Sequence, residues 1–179
     1  MPSPIAHSVS GYILAKFLPL EQPRLPGFRK WYLQIFYPVF VAIFADFDFI
    51  PQLITGEKYH RGFTHSLFFT LVFSVIVGFT LSYLWKYSYK QIFLFTLIIY
   101  GSHLFLDFFT EGGKGMELFW PFIDGFFKSP IAIFPGFHHS RGLWHYSHLI
   151  PISFELSYSV LLFGVFSWWK NSKNWRKKT

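Results

Sequence analysis

The stretch Leu67–Trp85 runs for 19 residues without a single charged side chain. About 20 consecutive apolar residues make a helix long enough to cross the hydrocarbon core of a bilayer. In that medium only helices and closed barrels satisfy every backbone polar group. Three more stretches share this character. Residues 91–109 are apolar except for His103 and Asp107, residues 150–169 carry one charge at Glu155, and residues 31–50 are apolar until Asp46 and Asp48. A shorter stretch, 4–20, contains His7 and Lys16, and either spans at a tilt or dips into the membrane. The pattern predicts an all-α fold, a polytopic membrane helix bundle with four or five membrane-embedded helices, in a single domain covering residues 1–179. Composition agrees, because only 14% of residues are charged while 52% are hydrophobic. A soluble domain carries about 25% charged residues, and a chain this small needs polar surface to cover itself. The missing polar surface is accounted for if lipid covers the chain instead.

The formal charge of +7 points to the membrane once it is located. Lys170, Lys173, Arg176, Lys177 and Lys178 crowd the C-terminal tail, residues 170–179. A basic tail directly after an apolar helix reads as a cytoplasmic anchor facing anionic lipid, so membrane lipid is an expected partner and nucleic acid is not. The absence of cysteine excludes disulfides, thiolate metal sites and Cys nucleophiles. The N-terminus has neither a basic n-region nor a small-residue cleavage site, so no removable signal peptide is expected. Pro19, Pro23, Pro26, Gly27, Gly56 and Gly62 punctuate short connections. The one long loop, 110–149, is rich in Gly and Pro and is expected to fold over the bundle end. Five alternating passes with the tail inside place 11 of the 16 basic residues on the inner side, the arrangement that the positive-inside rule prefers. This predicts a multi-pass inner-membrane protein. On that map all eight histidines, and every acid except Glu21, lie at or near the outer face.

Three motifs meet there. Asp46 and Asp48 sit near the far end of an apolar helix, where a carboxylate costs about 2.5–3.5 kcal/mol to insert. Such a cost is tolerated when the groups are paired, bind a cation or simply reach water at the helix end. His60-Arg61-Gly62-Phe63-Thr64-His65-Ser66 places two imidazoles five apart around a glycine. It suits a turn that aims both rings at one point, with Thr64 or Ser66 capping the next helix, and equally suits a polar surface loop. His103 and Asp107 share one helix face at i and i+4, the geometry of a divalent chelate or of a buried hydrogen-bonded pair. His7 is a fourth, weaker element. Imidazole and carboxylate are the usual ligands of zinc and related metals where cysteine is absent, and four separate segments bring them to one face. A further cluster, His138, His139, His145 and His148 with Glu155 beyond, reads as a second metal site, part of the substrate opening or an interfacial aromatic loop. Trp120, Trp144, Tyr146, Trp168 and Trp169 fit an interfacial aromatic belt.

The Asp-x-Asp, the His-Arg-Gly-x-Thr-His-Ser run, the Ser-His-x-x-x-Asp followed by Trp-Pro, and the early His7 together resemble the LexA-regulated inner-membrane-associated family assigned as metal-dependent hydrolases. The resemblance runs from His7 to about Pro121, with Phe49 standing where that family usually has a further polar residue. The order of ligands is also distantly similar to zinc-dependent phospholipase C and related nucleases. These resemblances imply a metal-dependent hydrolase acting on a phosphoester or similar ester, in a small molecule or a lipid, by attack of metal-bound hydroxide. His7, Asp46, His60 or His65, His103 and Asp107 would hold a divalent metal, zinc by ligand type. Asp48 would act as orienting group, second-metal ligand or general base, and Arg61 would stabilise anionic charge. The rival reading is a non-enzymatic membrane protein whose cluster is a structural metal site or an ion or proton relay. A third is a protein-binding scaffold acting through the basic tail. The sequence carries no signature of an oligomeric state.

Overall fold

A computed structural model describes residues 3–18, 31–55, 60–136 and 146–175. Among these residues the chain forms five helices. The first, α1 (Pro4–Phe17), is capped by Ser3 and has Pro4 in its first turn, where a missing N–H breaks no helical bond. The second, α2, is composite: a π-helical turn Tyr32–Phe36, an α-helical stretch Tyr37–Ile43, a 3₁₀ segment Phe44–Asp48 and a last α-helical piece Phe49–Thr55. Pro38 cannot donate the bond that would continue the α ladder, and the Tyr37 N–H reaches back to the Tyr32 carbonyl in the wider turn before it. Then follow α3 (Leu67–Trp85), α4 (Tyr89–Phe108) and α5 (Leu149–Trp175).

Four segments, Tyr32–Gln52, Leu67–Trp85, Tyr89–Phe108 and Tyr146–Lys173, are long and apolar enough to cross a membrane. The first matches the expected stretch to within two residues at its end, and the second coincides with it. With 14 residues, α1 rises only about 21 Å, less than the roughly 30 Å hydrocarbon core. It nevertheless packs inside the bundle, against α2, α4 and α5.

The helices divide their residues between protein and lipid in a way that a soluble fold would not. On α3 the buried residues are Thr70, Ser74 and Gly78, a row of small side chains at four-residue spacing. Its large ones, Leu71, Val75, Ile76 and Phe79, are exposed. Without a hydrophobic drive between helices in lipid, close approach over small residues is the favoured contact, and this row lies along α4. A Cβ on Gly78 would come within 3.2 Å of the Phe93 Cβ. The core between α2 and α4 is built from Leu33, Val41, Ala42, Ile92, Ile99 and Leu104, with a buried hydrogen bond between the Tyr37 and Thr96 hydroxyls. Gly11 brings α1 equally close to α2: a Cβ there would sit 2.5 Å from the Ala42 Cβ and 2.8 Å from the Pro38 carbonyl oxygen.

One end of the bundle collects the start of α1, the end of α2, the start of α3, the end of α4 and the start of α5. The Glu155 carboxylate on α5 accepts from the Ser3 N–H and hydroxyl, which fixes the first helix to the last at this end. The loop after α4 returns to this end in its described part, 110–136. That part ties to itself through Met116 and Phe127 and to the His60–Ser66 turn through Glu117 N–H to Arg61 O (3.1 Å) and Leu67 N–H to Leu118 O (3.0 Å). The expected readings of Pro19, Pro23, Pro26, Gly27, Gly56, His138, His139, Trp144, His145 and the tail beyond Trp175 lie outside the described residues.

Candidate metal centre

Each ligand motif is placed by a different local rule. On α4, His103 and Asp107 lie one turn apart on the buried face, as helical periodicity requires. On α2 the chain tightens to three residues per turn over Phe44–Asp48, and the two carboxylates of Asp-x-Asp reach opposite sides of a single imidazole, that of His65. The Asp46 Oδ1 lies 3.7 Å from His65 Nε2, and the Asp48 Oδ2 lies 3.1 Å from His65 Nδ1. His65 itself closes a short 3₁₀ turn, Phe63–His65, immediately ahead of α3. Ser66 caps that helix by accepting from the Phe69 N–H at 3.0 Å, the role foreseen for Thr64 or Ser66. Thr64 instead donates to Asp48 Oδ2 at 2.8 Å, and its carbonyl accepts from the buried Tyr100 hydroxyl at 2.8 Å, fastening the turn to α4.

Four ligand atoms converge at the centre: Asp46 Oδ1, His65 Nε2, His103 Nε2 and Asp107 Oδ2. Five of their separations are 3.2 Å (His65–His103), 3.4 Å (His65–Asp107), 3.6 Å (His103–Asp46), 3.7 Å (His65–Asp46) and 3.9 Å (His103–Asp107). Most are too long for hydrogen bonds, but they suit a coordination sphere. Zinc bonds of about 2.0–2.2 Å to nitrogen or oxygen place the corners of a tetrahedron roughly 3.3–3.6 Å apart, close to these five separations, and all four atoms lie within 4.8 Å of one another.

The tautomers carry the argument further. The His103 Nδ1–H donates to the Ala42 carbonyl at 2.7 Å, which leaves Nε2 as a lone pair. The His65 Nδ1 faces Asp48 Oδ2, so its Nε2 is also a lone pair when the ring is neutral. Two lone pairs then face each other across 3.2 Å, together with two carboxylates, a repulsion that a cation between them or a proton on one ring relieves. A second-sphere acceptor that fixes the imidazole of a metal ligand is the usual arrangement. Burial would favour the neutral form of His65, but the carboxylates of Asp107, Asp46 and Asp48 outweigh it and hold the pKa well above the ordinary imidazole value. The pocket attracts positive charge. The Asp46 and Asp107 oxygens are buried without hydrogen-bond partners, a costly state for carboxylates unless a cation is the missing partner.

The other expected residues fall around this group. His60 lies outside it: its Nδ1 bonds Asp48 Oδ1 at 2.6 Å, so that Asp48, His60 and His65 form a second possible ligand group sharing His65. Asp48 also accepts from the Arg61 N–H at 3.0 Å and sits at the hub of the turn. His7 stacks on His103 with ring centroids 3.8 Å apart, and its Nε2 is 3.4 Å from Asp107 Oδ1, next to the four-atom group. Arg61 takes a left-handed backbone (φ +66°), which costs a non-glycine residue on the order of 1–3 kcal/mol. Its buried guanidinium points at the centre, Nε 3.4 Å from Asp107 Oδ2, with Nη2 lacking a hydrogen-bond partner. His148 is buried at the start of α5 and belongs to neither ligand group, while Glu155 holds Ser3. The division of labour within Asp-x-Asp follows one of the expected readings, with Asp46 turned to the ligand group and Asp48 orienting His65. Its signal was the two-residue spacing itself, which on a 3₁₀ turn points two carboxylates apart.

The profile of the YdjM inner membrane protein family matches residues 1–176. The inner membrane protein YbcI of Escherichia coli (strain K12) is 36% identical over 148 residues, covering 76% of this chain and 83% of the relative. No solved structure matches the chain.

Proposed function

The chain belongs to the YdjM inner membrane protein family, a multi-pass inner-membrane protein, and from that premise we propose that it is a metal-dependent hydrolase of phosphoesters with its centre at the outer face. The convergence of Asp46, His65, His103 and Asp107 around one point, with both imidazoles fixed at Nδ1, carries the reading. A bound divalent ion, zinc by ligand type, would polarise an ester oxygen and lower the pKa of a water toward neutrality.

The chain's own groups have separable roles. His65 and His103 present Nε2, Asp107 completes the buried side, and Asp46 stands at the opening, its side chain 12% exposed where the other three are fully buried. Of the four ligands, Asp46 therefore lies nearest to solvent. Asp48 holds His65 in its ligand tautomer. With neutral imidazoles, the carboxylates of Asp46, Asp48 and Asp107 and the Arg61 guanidinium, the site carries two negative charges, which a divalent ion would neutralise, and Arg61 is placed to hold an anionic oxygen. The outer-face position rests on Lys16, Lys86, Lys90, Lys170 and Lys173, which lie toward the other end of the bundle, as the positive-inside rule asks of the cytoplasmic side.

The test is metal content followed by turnover. Protein purified in detergent should carry near-stoichiometric metal, and the double substitution His103→Ala with Asp107→Ala should remove it. The metal-loaded protein should hydrolyse bis(p-nitrophenyl) phosphate, with activity lost to a chelator and restored by the ion. A specific observation favours the rival structural site, since four protein ligands are the closed sphere of non-catalytic zinc. Stoichiometric metal with no turnover of any phosphoester would select that reading. Cation flux into liposomes, abolished by Asp107→Asn, would select an ion relay.

A further inference from the structure

A groove of about 510 Å³ opens between α1, α4 and α5, within the range of small-molecule sites. Ser10 and Ile13 line it from α1, Gly101 and Phe105 from α4, and Tyr158 and Leu162 from α5. It exists because α5 packs along α1 rather than along α4. It also begins beside the metal centre: Ser102 and Leu106, both in its wall, flank His103 and Asp107 in sequence, and Ser10 lies three residues from His7. From there it runs toward Phe17 and Ile98, a distance of roughly 10–12 Å along the helices. One leaflet is about 15 Å deep, half of the hydrocarbon core.

We propose that this groove seats an acyl chain of a phospholipid whose phosphoester lies at the metal centre, so that the substrate is a membrane lipid entering sideways from the bilayer. The proposal rests on the hydrolase reading and names its substrate class. Three observations single out this occupant. Two of its three walls, α4 and α5, are helices long and apolar enough to span the membrane, where hydrocarbon is the solvent. Its polarity is graded: the Ser10 and Tyr158 hydroxyls bond each other at 2.8 Å in the half near the centre, while Ile13, Leu14, Phe17 and Leu162 line the rest. At the headgroup end the buried cation is Arg61, and the loop over it carries Lys114 and Lys128 among Glu111, Glu117 and Asp124. The Gly113 backbone abuts the Arg61 guanidinium, a Cβ there falling 3.5 Å from Nη1. The exposed Lys128 reaches the Gly113 carbonyl at 3.4 Å, and Lys114 is next in the chain. An anionic headgroup with a tail suits this arrangement, whereas a soluble phosphoester would leave the groove without a purpose.

Gly101 provides the test, because it lines the groove and a Cβ there meets no atom within 4 Å. Gly164 on α5 is equally open and lies outside the groove lining, so Gly164→Phe is the matched control. In phosphatidylethanolamine–phosphatidylglycerol proteoliposomes, Gly101→Phe should lower the ratio of dioleoyl to dihexanoyl phospholipid turnover roughly tenfold. Gly164→Phe should leave that ratio at the wild-type value. A second readout needs no catalysis: phosphatidylglycerol spin-labelled in mid-chain should show an immobilised component that disappears in Gly101→Phe and persists in Gly164→Phe. An immobilised component unchanged in Gly101→Phe, or an unchanged chain-length ratio, overturns the groove assignment. Wild-type protein that immobilises the label yet cleaves no phosphoester overturns the hydrolase reading and leaves the groove standing as a lipid-binding site.

Discussion

At the residue scale, two aspartates separated by one phenylalanine serve one imidazole in opposite ways. Asp46 offers a carboxylate oxygen to the centre, and Asp48 holds the ring that offers the nitrogen. Their substitutions should therefore differ in kind. Asp48→Asn leaves all four ligand atoms in place but loses an acceptor for His60, Thr64 or His65, and metal affinity should fall 10- to 100-fold in a competition titration. Asp46→Asn acts on the ligand set directly and should lower metal occupancy itself. Arg61 makes a third kind of contribution. Arg61→Gln should retain metal while turnover of the phosphodiester falls by about 10²–10³, a split visible by measuring both in one preparation. These roles were only partly legible in the sequence. His103 and Asp107 could be paired from helical spacing alone. The choice between His60 and His65 could not, because it depends on a left-handed residue at Arg61 and on which imidazole the following 3₁₀ turn carries inward. Neither leaves a mark on residue spacing.

At the scale of elements, the centre depends on two close helix crossings over small residues. Gly11 lets α1 lie against Ala42 and Pro38, and Ala42 also supplies the carbonyl that fixes His103. Gly11→Ala should therefore destabilise by about 1–3 kcal/mol through overpacking, seen as a lower thermal midpoint in detergent. It should also weaken metal binding from a position that touches no ligand. Gly164→Ala, with no atom near the added methyl group, should do neither. The helices themselves were readable because a run such as Leu67–Trp85 has one stable form in hydrocarbon. Which face would be buried was not readable. In a uniformly apolar helix there is no polar stripe to mark the outside, and here the inward face is the row of smallest side chains, the reverse of the amphipathic rule that serves for soluble helices.

For the whole molecule, the bundle end gathers carboxylates and imidazole lone pairs held together by packing from five helices, so an ion bound there would act as a stabilising ligand. Removing it with a chelator should lower the unfolding temperature. Restoring it at a hundred times its dissociation constant should return about 2.7 kcal/mol. Since imidazole must be neutral to ligate, affinity should fall as pH drops through the histidine range, and isothermal titration at several pH values would measure it. An increase on acidification would contradict ligation by His65 and His103. The clasp between Glu155 and Ser3 adds a temporal dimension. His7 stands on α1 and the carboxylate that anchors this helix stands on α5, with the ligands of α2, the turn before α3 and α4 between them in chain order. All four ligand residues precede α5 in the chain, so a nascent chain arrested before the fifth helix would carry the complete ligand set but lack the clasp that seats α1 against it.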